Sequence, residues 1–434
     1  MSTILKVKKR GQLESLVLFI YILPFLFAFC FELVKLPSFI RYFIDVAWVL
    51  LLFVMLVRTK LIQTITLKKL LIWVGCFFVY CTILYMYRYQ SIFYYLWGFR
   101  NNFRFYIFFF GCILFLKKKE VEDYMSILDI VFYINSIVIM IQYFLGGFRR
   151  DSLGGVFGTQ QGCNGYLNIF LIIVLTKSIL FYLHKRESVH QCMFKIVLIT
   201  MSAAFAELKF FFMEFAVIII LAALVTKLTR RKIFIMLISG LGIYFGIELL
   251  LIVFPEFEEI MSVQGLFESA MSDQGYTSAG DMNRLTALSM SEEMFLKTTE
   301  DKLFGLGLGN CDYSDNYSFL TSPFFVENKL LHYTWLSVAF IFLETGYVGL
   351  CFFFGFYIIL FWEIDKQEKQ GESSVVYCHI AKVLAIMCIL IAIYNSTLRT
   401  EAAYMLYFVM AIPLLCDARK FNYTNFKRYE KYME

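Results

Sequence analysis

Long apolar stretches recur along the whole chain, and every second connection between them carries a cluster of Lys and Arg. The stretches fall near 15–36, 42–57, 69–87, 98–116, 125–146, 164–183, 191–208, 210–226, 233–254, 331–361, 376–395 and 400–416. Most approach the roughly 20 residues that a helix needs to cross a bilayer. Backbone in lipid must satisfy its own hydrogen bonds, and runs this long and continuously apolar do so as helices rather than as barrel strands. The sequence therefore predicts an all-α integral membrane protein of about twelve spans. The chain is 60% hydrophobic and 17% charged, which excludes a water-soluble enzyme, and its net charge of +6 does not imply nucleic acid.

The distribution of positive charge sets an orientation. Clusters at Lys6/Lys8/Lys9/Arg10, Arg58/Lys60/Lys68/Lys69, Lys117/Lys118/Lys119, Lys185/Arg186, Lys227/Arg230/Arg231/Lys232, Lys366/Lys369 and Arg419/Lys420/Lys427/Arg428/Lys431 all fall on one side. The positive-inside rule makes that side cytoplasmic and puts both termini there. No small-residue cleavage site follows the first apolar run, so it reads as an uncleaved span. Residues 1–254 hold the first nine spans, 255–330 form one large external loop, and 331–434 hold the last three spans and a cytoplasmic tail. The loop has thirteen acidic residues against Arg284, Lys297, Lys302 and Lys329, which makes it a strongly acidic lid candidate. Leu285, Leu288, Phe295 and Leu296 predict an amphipathic helix within it, lying over the bundle. No internal repeat is visible, which disfavours repeat-built transporters. Cysteines fall mostly in apolar runs and no disulfide is expected, including between Cys163 and Cys311 near the outer face.

Charges within or beside apolar spans are costly and mark functional candidates. Arg100 and Arg104 are four apart and share a helix face. Arg149 and Arg150 sit in a short external loop, Lys209 follows Glu207 at a tight turn, and Arg399 stands beside Glu401 between the last two spans. Interfacial snorkelling explains any one of them alone. Their gathering at one leaflet with Arg284 points to a polyanionic headgroup, because guanidinium groups grip phosphate oxygens in bidentate fashion. His332 is the one external histidine and a candidate base for a sugar hydroxyl, with an ordinary interfacial ring as the alternative. Glu344 is a further catalytic candidate, with pairing to a buried cation as its alternative. Gly305-Leu-Gly-Leu-Gly-Asn310 looks like a phosphate loop but follows no strand and lies outside, so a nucleotide site is rejected. No metal-ligand spacing is present, and Asp312 and Asp315 read as turn residues.

Taken in order, these features resemble the O-antigen polymerase and O-antigen ligase superfamily. The resemblance rests on Arg100 and Arg104, Gly154-Gly-Val-Phe-Gly158, Ala206-Glu-Leu-Lys209, Asn283-Arg-Leu-Thr-Ala287, Leu303-Phe-Gly-Leu-Gly-Leu-Gly-Asn310 and Leu343-Glu-Thr-Gly-Tyr-Val-Gly349. It implies a GT-C-like bundle in the bacterial inner membrane. The implied reaction is inverting and metal-independent, needs no cofactor, and takes glycan from undecaprenyl pyrophosphate on the outer leaflet. The implied partners are a lipid-linked donor and acceptor, the bilayer and a chain-length regulator. By position, Arg284 resembles the family's loop arginine, Lys209 stands where many members carry arginine, and His332 approximates the ligase histidine. In ligase-like members that histidine is directly followed by Asn and sits closer to the Glu-x-Gly, so the departure here favours a polymerase. A ligase and a lipid-linked oligosaccharide flippase are the alternatives.

Overall fold

The structure is a computed structural model that describes residues 11–37, 40, 42–57, 65–258, 265, 281–371 and 373–415. The basic clusters at Lys6–Arg10 and Arg419–Lys431, together with Arg58, Lys60, Glu259, Glu268 and Asp273, lie outside the described residues. The long helices are α1 (Gln12–Ala28), α2 (Phe43–Val57), α3 (Ile65–Tyr87), α4 (Ile92–Phe115), α5 (Val121–Phe144), α6 (Cys163–Leu183), α7 (Val189–Phe205), α8 (Phe211–Val225) and α9 (Arg230–Val253). Three short helices follow, α10 (Ala287–Met294), α11 (Thr299–Phe304) and α12 (Pro323–Asn328). The chain then forms α13 (Ser337–Lys369), α14 (Val375–Tyr394) and α15 (Ala403–Ala411). No strand occurs among the described residues.

Six helices, α3, α5, α6, α9, α13 and α14, are long and apolar enough to cross a membrane, and α1, α2, α7, α8 and α15 are shorter apolar helices. The fold is thus that of a membrane-embedded helical protein. Helices α6 and α14 are largely enclosed, whereas α3 and α9 turn rows such as Val79, Ile83, Leu237 and Phe245 outward. Helix α13 packs along α14 and α3, α4 along α15, and α7 along α9.

Local chemistry shifts several boundaries from the sequence expectation. The first span, expected over 15–36, ends as an α-helix at Ala28 and continues as a π turn, Phe29–Leu33, a few residues after Pro24. That turn aims Glu32 at the loop before α6, where its carboxylate accepts from the Thr159 backbone (2.9 Å) and hydroxyl (3.0 Å). Glu32 therefore anchors the end of the Gly154–Gly158 motif. The tenth span, expected from residue 331, begins only at Ser337, because Lys329–Leu331 and Tyr333–Trp335 form separate 3-10 turns.

Helix α13 breaks at Gly346, whose φ of +63° lies outside the helical region. Such a break strands carbonyl oxygens that lipid cannot satisfy. Here Leu343 accepts from Leu306 N (2.8 Å), Glu344 from Gly307 N (2.9 Å) and Thr345 from the Tyr80 hydroxyl (2.7 Å). The glycine-rich run that looks like a phosphate loop thus closes a helix kink. Its far end wedges against α4, where a Cβ on Gly98 would meet Gly309 N at 2.5 Å.

The described part of the acidic loop from residue 281 onward is a packed cap. Met282 N donates to the Leu331 carbonyl (2.9 Å), Ser322 N to that of Asp312 (2.9 Å), and the Tyr333 hydroxyl to that of Cys311 (2.6 Å). The amphipathic helix is present as α10 and packs on α13, but it stops at Met294, short of Phe295 and Leu296. Cys163 and Cys311 are both free thiols.

Candidate functional site

On α4, positions 97, 100, 101 and 104 recur at helical spacing, so their side chains share one face. That face looks into a cavity of about 240 Å³. Opposite it stand Asp312–Asn316 of the cap, Thr334, Phe340 on α13, and Ser396 and Arg399–Glu401 from the segment between α14 and α15. Tyr42, just before α2, completes the wall. The Asn395 carbonyl holds that linking segment against α13 by accepting from both the Ser337 amide (3.0 Å) and its hydroxyl (2.8 Å).

The structure brings three of the predicted arginines together here, each with a carboxylate. Arg100 donates from Nε to Asp45 Oδ1 (3.0 Å) and from Nη2 to Asp45 Oδ2 (2.9 Å), and its guanidinium lies 4.7 Å from the Trp97 ring. Arg104, 1% exposed, donates to Glu401 Oε1 (2.8 Å) and to the Arg399 carbonyl (3.1 Å). Arg399 donates to Asp312 Oδ2 (2.9 Å), and its guanidinium covers the Phe340 ring at 3.2 Å. Asp312 also accepts from Asn101 Nδ2 (2.8 Å), so it is an ion-pair partner, where the sequence reads only a turn residue. Burial alone would raise the Glu401 carboxyl, but Arg104, Arg100 and the Tyr166 hydroxyl hold it well below the usual carboxylate range.

A second polar region lies at the far side of the same linking segment. Lys209 pairs with Glu207 (3.2 Å) and sits 3.3 Å over the Phe257 ring. Arg150 reaches Glu207 (3.4 Å) and Glu256 (2.5 Å). Arg149 is exposed, donates to the Tyr143 and Phe148 carbonyls and stacks on Tyr143 at 3.7 Å. Arg284 donates to the Tyr394 carbonyl (3.2 Å) and covers the Tyr394 ring, which stacks on Phe210 at 3.8 Å. Burial raises the Glu207 carboxyl, and Lys209 and Arg150 only partly offset this.

The two remaining candidates do not line the cavity. His332 takes a left-handed backbone conformation (φ +51°), stacks on Trp335 at 3.9 Å, and places Nδ1 3.7 Å from Asp281 Oδ2. Glu344 is fully buried; it accepts from Gly309 N (2.9 Å) and lies 4.0 Å from Arg399. Its bond to Gly309 fastens the glycine-rich run to α13, and Arg399 is the buried cation nearest to it in these contacts.

Sequence reasoning missed Asp45, read Asp315 only as a turn residue although it lines the cavity, and missed that Glu401 answers Arg104 rather than its neighbour Arg399. Asp45 carries a usable signal, since it is an acid within an apolar stretch. A buried network at the opposite end of the bundle was also missed: Lys177 pairs with Asp129 (2.5 Å), and Lys195 with Asp129 (2.7 Å) and Glu187 (2.9 Å). No protein-family model matches the chain, and no curated protein matches its sequence.

Proposed function

We propose that the chain is a polysaccharide polymerase of the bacterial inner membrane, with twelve spans and both termini in the cytoplasm. In this reading it joins undecaprenyl-pyrophosphate-linked repeat units on the outer leaflet by inverting, metal-independent transfer. What carries the reading is one observation: the segment from Tyr394 to Glu401 borders both polar regions, with Arg284 over Tyr394 at one end and the cavity at the other. A glycosyl transfer needs two such neighbouring regions, one for a leaving diphosphate and one for a sugar.

In the step itself, an acceptor hydroxyl oxygen attacks the anomeric carbon, the bond from that carbon to the phosphate oxygen breaks, and a base takes the hydroxyl proton. Negative charge grows on the departing diphosphate, so cations held in place beforehand favour the transition state over the ground state. Arg284, Lys209, Arg150 and Arg149 supply those cations, and the cavity takes the sugar.

The test is elongation by purified protein in detergent, given lipid-linked repeat units and no nucleotide. A ladder of longer glycans is expected, falling by about a hundredfold or more in Arg284→Ala and Lys209→Ala, the scale of losing one charge-stabilising donor. Near-normal ladders in both variants, or movement of substrate across vesicles with no new glycosidic bond, would overturn the reading.

A further inference from the structure

Three cations face the cavity, and each is already matched, Arg100 by Asp45, Arg104 by Glu401 and Arg399 by Asp312. A fourth carboxylate, Asp315, lines the cavity mouth, is exposed, and has no hydrogen-bond or ion-pair partner among the described residues. Among those residues, three positive groups thus stand against four negative ones. Arg41, next to Tyr42 in sequence, lies outside the described residues, and counting it in full brings the balance only to zero.

This balance decides what can enter. An anionic ligand would meet no net attraction, and it would have to pull a guanidinium from a carboxylate that is itself sheltered from water. Arg104 is enclosed and the Arg399 side chain is nine-tenths buried, so neither arginine is free to swing out to a new partner, and the Arg399 Nε and Nη1 that make no hydrogen bond are themselves buried. The rest of the wall mixes aromatic rings, Tyr42, Trp97 and Tyr313, with neutral hydroxyl and amide groups. Rings receive the C–H face of a sugar, and hydroxyls and amides its oxygens. The 240 Å³ of space is far more than the ~10–15 Å³ that admits a single water, and it leaves room for a small ring such as a sugar.

We propose that this cavity recognises the ring of an uncharged or amine-bearing sugar and rejects acidic sugars, with Asp315 as the carboxylate that engages the ligand's hydroxyl or ammonium. The proposal rests on the polymerase reading for the meaning of the site, and it assigns the class of repeat unit the site accepts.

The test uses full-length protein in detergent at low ionic strength, where charge discrimination is least screened. Three probes differ only in charge, namely methyl glucoside, methyl glucosaminide and methyl glucuronide. Transfer of magnetic saturation from protein to ligand reads binding. The first two should receive saturation and lose it in Trp97→Ala, while the glucuronide should bind on the order of tenfold or more weakly. Asp315 is exposed, so Asp315→Lys leaves the packing intact, and it should bring the glucuronide up to the glucoside and weaken the glucosaminide. Equal or better binding of the glucuronide, an unchanged ranking in Asp315→Lys, signals unaffected by Trp97→Ala, or no binding of any probe would each overturn the proposal. A correct ranking in a protein that never elongates glycans overturns the polymerase reading alone, and a failed ranking in a protein that elongates overturns this inference alone.

Discussion

Arg104 and Glu401 meet at 2.8 Å inside the bundle, where α4 passes the turn that leads into α15. The other carboxylate oxygen of Glu401 accepts from the Tyr166 hydroxyl of α6 (2.8 Å), and the other end of the guanidinium donates to the Arg399 carbonyl (3.1 Å). Two helices, α4 and α6, and the linking segment are thereby tied at one point, and that point is a wall of the cavity. The placement of Arg399, and through it of Asp312, depends on this knot.

Removing one member of such a pair leaves a charge buried and unmatched, which costs about 3–5 kcal/mol. Arg104→Ala should therefore lower the thermal midpoint in detergent by several degrees. Replacing both partners, as in Arg104→Met with Glu401→Gln, should cost less than the single change, because no bare charge is left behind. A midpoint unmoved in Arg104→Ala would show that the pair does not hold the cavity wall.

The same pair predicts an acid limb. The Glu401 carboxyl is held below its ordinary value, so its contribution is fully present above the unfolded carboxylate range of about 4.3 and is lost as pH falls through the lower folded value. Thermal midpoints measured from pH 5 downward should fall, and that fall should shrink in Arg104→Met. An acid limb of equal slope in both proteins would assign it to other carboxylates.

The helices were legible in the sequence because lipid demands continuous apolar runs, and every long helix lies on one of those runs. Their ends were less so. Residues 331–336 are apolar enough to pass for a span, yet a left-handed turn at His332 separates them from α13, and no local signal announces it. The arginines were legible as costly charges. Their partners were not, because Arg100, Arg399 and Arg104 reach carboxylates 55, 87 and 297 positions away in the chain. That separation is why a cluster read as free positive charge is in fact balanced. The glycine-rich run had the composition of an anion-binding loop, and only the kink at Gly346 reveals what its amides satisfy.

Gly346 itself offers a sharp test. At φ +63° a side chain is strained, and a Cβ would lie 2.3 Å from the Leu303 carbonyl oxygen. Gly346→Ala should therefore destabilise by more than about 1 kcal/mol and loosen the run over 303–309. Gly75→Ala on α3 is the control, since a Cβ there meets nothing within 4 Å, and in a helix it should stabilise by roughly 0.5–1 kcal/mol. Limited proteolysis of the cap should quicken in the first variant only. Equal cleavage in both would separate the kink from the cap.

The orientation of the chain decides whether the cavity can serve the outer leaflet at all. Asn316 lies at the cavity mouth and Gln370 at the end of α13, and both are exposed. In the proposed topology they fall on opposite sides of the membrane. A cysteine at Asn316 should react with an impermeant maleimide on intact cells, and one at Gln370 only after the membrane is opened. The native background should be low, because thiols react as thiolates and most of the described cysteines are buried, with Cys76 and Cys351 exposed only along apolar helices. Labelling of Gln370→Cys from outside, with Asn316→Cys protected, would invert the bundle and put the cavity within reach of cytoplasmic substrates. The polymerase reading and the sugar assignment would then lose their common ground.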